Sequence, residues 1–206
     1  MVQALVRVWL WMPLGSALRN PRQRIVLAGI PPRHFALARQ VLAGLLLAVV
    51  MLLAPSSWLR WGWWEYLGGT GKVIFGAASN RSGWISRLVL PGLVLIRLLP
   101  SLCLFALREE RAFRRGDETR GIGARLWRSL MFGLAHLVMG IPIGAALGLG
   151  VGVGGFGFSE VYLRRWRKSG SPLRSVLESA RVHFAYNRIL VSLVAVMLIG
   201  TAVASR

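Results

Sequence analysis

Three short stretches of the chain carry side chains suited to acid–base chemistry at helical spacing. Glu109 and Glu110 open EERAFR, His136 closes FGLAH, and His183 and Asn187 bracket HFAYN. On a helix, Glu110 and Arg114 stand at i and i+4 and can pair. Glu109, about 100° further round the helix, is then left free. In HFAYN the same spacing puts an imidazole and a carboxamide on one face. A carboxylate in low-dielectric surroundings becomes a better general base toward water. One histidine can hold that water or shuttle its proton. A second histidine with an asparagine can donate hydrogen bonds to a developing oxyanion. Together the residues form a set capable of hydrolysis. Each stretch also has a purely structural explanation: a charged helix end, a histidine bonded to a neighbouring helix, polar residues at an interface.

The elements that must position this set are apolar helices. Of 206 residues, 55% are hydrophobic, and the mean hydropathy is +0.56. Apolar runs of about 18 or more residues predict bilayer spans. ALARQVLAGLLLAVVMLLA (36–54) is the first, and a second runs from about residue 85 to 106, continuing helical through Phe113. A third starts near Trp127 and reaches Gly140, where Pro142 kinks or breaks it. A fourth, glycine-rich run covers 143–163, and the last covers 174–204, with first turns (Arg174, Glu178, Arg181) projecting beyond the bilayer. The expected fold is an all-α polytopic integral membrane bundle of about five to six transmembrane helices. Residues 1–34 form a basic, proline-broken arm that contacts anionic lipid. Residues 35–84 hold the first span and a Trp-rich external interfacial loop, and 85–206 form the helical core.

Charge sets the orientation. The formal net charge is +19, and only seven residues are acidic, four of them in LREERAFRRGDETRG. The arm and the loops near 108–128 and 164–174 hold most of the arginines, and alternating spans bring all three to one side, which is cytoplasmic. The chain is thus expected in a plasma membrane, the bacterial inner membrane, with its N-terminus inside. That distribution argues against nucleic acid as the partner, since nucleic-acid binders gather charge on one soluble face. All three catalytically suited stretches then meet in the cytoplasmic third of the bilayer. Arg97 lies mid-span and needs a partner or a wet cavity. Cys103, the single cysteine, reads as a small buried hydrophobe. GVGVGG (150–155) formally matches a dinucleotide fingerprint, but its neighbours are helical, and small residues spaced for close helix contact explain it better.

EExxxR, FxxxH and HxxxN in this order on successive helices resemble the CPBP family, the CAAX-processing, bacteriocin-processing and Abi-type intramembrane endopeptidases. EERAFR, FGLAH and HFAYN carry the resemblance, over roughly residues 85–205. It implies a glutamate-dependent membrane protease whose site opens toward the cytosol and whose substrate is a membrane-associated, prenylated or leader-bearing protein. By motif position Glu109 is the base and His136 helps activate water. His183 and Asn187 form the oxyanion hole, while Glu110, Arg114 and Phe132 support. No cofactor is implied. Arg111 and Ala112 stand where the family carries apolar residues, and Arg111 is placed to pair with a glutamate. A zinc protease is an alternative, with Glu109, His136 and His183 as ligands around an open position. A non-catalytic immunity or assembly factor keeping the polar set as packing glue is another, and a transporter lining an ion path is a third.

Overall fold

A computed structural model describes residues 19–28, 31–38, 101–139 and 142–204. Residues 1–18 of the expected arm, the first span beyond residue 38, the Trp-rich loop and Arg97 lie outside the described residues. Seven helices are described: α1 (Pro21–Ala28), α2 (32–38), α3 (101–113), α4 (Ile122–Ala135), α5 (Ile143–Gly148), α6 (Ser159–Ser169) and α7 (Pro172–Ala204). A π-helical segment, Leu149–Phe158, joins α5 to α6, and a 3₁₀ turn, His136–Met139, ends α4. The described chain is all-helical, with no strand among the described residues. No described helix is both long enough and apolar enough to qualify as a membrane span.

Helix phase decides what faces inward. On α3, Cys103, Leu107 and Glu110 are buried, as is Arg114 in the turn just beyond it. Their spacing of four, three and four residues keeps them on one stripe. Cys103 is a buried apolar contact, packed with Ala106, Leu107, Tyr162, Val176, Ala180 and Phe184. The opposing helix, α7, starts cleanly. Gly170 closes α6 in the left-handed region (φ 60°), its N–H bonded to the Trp166 carbonyl at 2.8 Å. Ser171 accepts the Arg174 N–H on its hydroxyl, and Pro172 takes the first helical position. From Ser175 to Tyr186, α7 is buried on most of its circumference. At its start Leu173 and Arg174 are exposed, whereas Glu178 and Arg181 are half-buried, with Glu178 against the arm. The basic segment expected as a loop after residue 163 is the last two turns of α6. The third run also begins earlier than expected, at Ile122, and stops before Pro142.

Glycines set the distance between α4 and the segment after α5. A Cβ on Gly133 would lie 2.0 Å from the Ala146 carbonyl oxygen and 2.5 Å from the Gly150 nitrogen. One on Gly150 would lie 2.8 Å from the Ser129 carbonyl oxygen. Gly150 thus serves close backbone contact, as expected for GVGVGG.

The described part of the N-terminal arm, with residues 35–38 that follow it, packs onto the core. Val26 joins the cluster around α3, and Phe35, Leu37 and Ala38 join a second cluster built on Phe132, Phe158, Val182 and Tyr186. The fully buried His34 donates from Nε2 to Glu178 Oε1 at 3.0 Å, with Arg33 and Arg181 at 3.6 and 3.7 Å from the same carboxylate. The His34 bond, opposed by burial and helped by the charges around it, holds the Glu178 carboxyl below its ordinary value. A lowered folded-state value means that this stabilisation is complete above about pH 4.5 and is lost as pH falls through the folded value. Acid titration of the arm's proteolytic accessibility should show release below pH 4.5, and Glu178→Gln should abolish that transition. Separately, Gly133→Ala should cost at least about 2 kcal/mol by overpacking. Gly200→Ala, with nothing within 4 Å of the new methyl, should be neutral or stabilising. Thermal unfolding of both variants in detergent checks the contrast.

Candidate active site

His183 lies against both glutamates of EERAFR. Its Nδ1 donates to Glu110 Oε1 at 2.9 Å, and its Nε2 is 3.5 Å from Glu109 Oε2. The first is a charge-assisted hydrogen bond. The second is an ion-pair distance, beyond an ordinary N–H···O bond. The two carboxylates differ sharply in setting. Glu110 is fully buried, and the Ser179 hydroxyl lies 2.5 Å from its other oxygen, Oε2, and 3.0 Å from the Phe158 carbonyl. Glu109 has a side chain 28% exposed. Adjacent positions on one helix therefore give one carboxylate bound on both oxygens and one reachable by water.

Arg114 does not pair with Glu110. No ion pair joins them among the described residues, although their charges attract. The guanidinium turns instead to α4, donating from Nη1 to Ser129 Oγ at 2.8 Å and lying 5.1 Å above the Phe132 ring. The i,i+4 spacing allowed the pair, but His183 and Ser179 from α7 take both glutamate oxygens. Nor does Arg111 form an ion pair with either glutamate.

Phe132 is the central wall. Its ring centroid is 4.8 Å from that of His136 and 5.8 Å from that of His183, edge-on to both. Phe158 stacks on His183 at 4.2 Å with only 19° between the planes. The His183 ring is thus clamped by Phe158 on one face and by Glu110 on one nitrogen. His136 donates from Nδ1 to the Phe132 carbonyl at 2.8 Å. A carbonyl only accepts, so Nδ1 carries the proton and a neutral His136 presents Nε2 as an acceptor. Asn187 lies one turn beyond His183 on α7, half-buried, with no side-chain hydrogen bond among the described residues.

A charged knot closes the end of the site. Asp117 is buried and accepts from Ser159 Oγ at 2.8 Å, with Arg120 and Arg128 at 3.7 and 4.0 Å. Burial pushes its carboxyl above the ordinary value, while the Ser159 hydroxyl and the arginines pull the other way. Arg128 also ties α4 back to α3 through the carbonyls of Phe113 and Ala112. Tyr162 donates to Glu118 at 2.7 Å.

The sequence reading did not single out Ser179, Phe158, Ser129 or Asp117. Ser179 was accessible in principle, since it precedes His183 by the four residues that separate His183 from Asn187. Phe158 gave no signal, because the π-helical segment changes the helix phase just before it. The zinc set Glu109, His136 and His183 is not gathered: no group of three or more His, Cys, Asp or Glu side chains is arranged to hold a metal ion among the described residues.

No family model matches the chain, no characterised relative is found, and no solved structure is similar.

The two glutamates should separate in a stability assay. Glu110→Ala leaves His183 Nδ1 buried without its acceptor, while Ser179 keeps the Phe158 carbonyl, and should cost about 3 kcal/mol. Glu109→Ala should cost less than about 1 kcal/mol. Chemical denaturation followed by far-ultraviolet circular dichroism would measure both.

Proposed function

We propose that the chain is a glutamate-dependent intramembrane endopeptidase of the CPBP type. The observation that carries this reading is the contact of His183 with both glutamates, across 73 residues of chain. Glu109, the accessible carboxylate, takes a proton from water as the oxygen attacks the scissile carbonyl. His136 accepts from the same water through Nε2. As the imidazolium, His183 is held by Glu110 through Nδ1–H, and its Nε2–H turns from Glu109 to hydrogen-bond the oxyanion as the tetrahedral intermediate forms, with no proton transferred from His183. The unpaired carboxamide of Asn187 is the second donor. Collapse of the intermediate breaks the C–N bond, and Glu109 returns the proton to the leaving amine. Support for a membrane setting comes from the apolar runs of the sequence and from the last turns of α7, where Leu193, Val196, Ile199 and Val203 are exposed. Lipid tails cover such a surface at no cost. The proposed substrate is a membrane-associated peptide or protein, prenylated or leader-bearing, cut near the cytoplasmic face.

A structural reading has one observation in its favour. Glu110, Ser179 and His183 are all buried, and both α7 side chains bond the glutamate, as helix-to-helix polar glue would. Comparing peptide termini across the membrane proteome of the native host carrying wild type or Glu109→Gln separates the two. A set of termini present with wild type and reduced at least about 100-fold by the variant is the expected outcome. Identical profiles, with both proteins stably inserted, would leave the polar set as glue in an interaction protein.

A further inference from the structure

A cleft of about 320 Å³ opens between α2, α6 and α7, with neither Glu109 nor Glu110 among its lining residues. α6 presents one face to it: Val161, Arg164, Arg165 and Lys168, at the i, i+3, i+4, i+7 spacing of a single helix side. α2 adds Arg33 and Leu37. The carboxylate lining this cleft is Glu178, and it is already engaged by His34 at 3.0 Å and Arg33 at 3.6 Å. Arg164 donates from Nε to Glu160 at 2.9 Å, leaving its two terminal amino groups. Arg165 and Lys168 meet no carboxylate within ion-pair distance among the described residues.

Of the four cations lining this recess, Arg33 is paired with Glu178 and Arg164 with Glu160, while Arg165 and Lys168 meet no acid among the described residues. Like charges at this density repel, and the arrangement stores a strong attraction for an anion. The composition narrows its kind. Arginine forks and a lysine match phosphate oxygens. Leu37 and Val161 add apolar surface, which a hydrated inorganic ion does not use but the glycerol and first methylenes of a lipid do. Basic pockets at the cytoplasmic ends of membrane helices hold headgroups in this way.

We propose that the cleft is a binding site for a phosphate-bearing anionic lipid headgroup, with Arg165 and Lys168 holding the phosphate and Leu37 and Val161 against the glycerol end. Lipid as the source of the phosphate rests on the membrane reading above; recognition of the phosphate group does not.

The full-length protein, purified in uncharged detergent, would be titrated with dihexanoyl phosphatidic acid, with dihexanoyl phosphatidylcholine and with inorganic phosphate, and binding followed by native mass spectrometry. Phosphatidic acid should bind at least about tenfold tighter than phosphatidylcholine, and R165Q/K168Q should lose about tenfold or more of that affinity. Arg174→Gln, exposed and outside the cleft, should bind as wild type. Inorganic phosphate binding as tightly as phosphatidic acid, and lost in the same double variant, would support the phosphate site with a soluble source. Equal binding of phosphatidic acid by wild type and by R165Q/K168Q of matched helicity would overturn the proposal, as would equal binding of the two lipids by wild type. Glu109→Gln should bind as wild type, so failure of the protease reading would leave this site standing.

Discussion

A buried carboxylate at Glu110 is the constraint around which the rest is arranged. A carboxylate removed from water is tolerated only with its oxygens bonded and its charge answered. Both requirements are met from α7, by His183 on one oxygen and Ser179 on the other. The register between α3 and α7 is therefore set by polar contacts with few alternatives. Sliding α7 by one residue would carry both donors about 100° away and leave Glu110 unpaired. The apolar contacts on either side, Leu107 and Cys103 with Val176, Ala180 and Phe184, follow the same register.

That register gives two adjacent glutamates opposite characters. Glu110 lies on the inward stripe of α3 and is immobilised; Glu109 lies at its edge, partly open to solvent and facing the second nitrogen of the same imidazole. Phe132 and Phe158 hold that imidazole from the sides, and both depend on backbone geometry elsewhere. Phe132 reaches His183 because Gly133 and Gly150 let α4 close on the following segment. Phe158 reaches it because a π-helical turn precedes α6. Such turns are uncommon and often sit beside functional groups.

Charge is divided by location in the same way. The buried acids Glu110 and Asp117 are met by α7 and by Ser159 with two arginines, and the half-buried Glu178 is met by the arm. With only seven acids in a chain of net charge +19, most cations have no acid to meet. Among the described residues, α6 carries Arg164, Arg167 and Lys168 exposed on its surface, and α2 carries Arg33. The arm is thereby tied to the core by one carboxylate and presents its remaining charge outward.

Periodicity and punctuation made much of this legible in the sequence. The helical character, the continuation of α3 through Phe113, the break at Pro142, the burial of Cys103 and the close contact at Gly150 all follow from local chemistry. So does the candidate set, because helical spacing alone puts His183 and Asn187 on one face and Glu109 off the Glu110 face. Pairing was a different matter. Spacing offered Arg114 to Glu110, yet the glutamate is held by residues about 70 positions away and Arg114 turns to Ser129 and Phe132. The arm's docking through His34 was equally invisible. A sequence states which partners a side chain can reach within its own helix. Which partner wins depends on desolvation and competition between helices, and those exist only once the helices have packed.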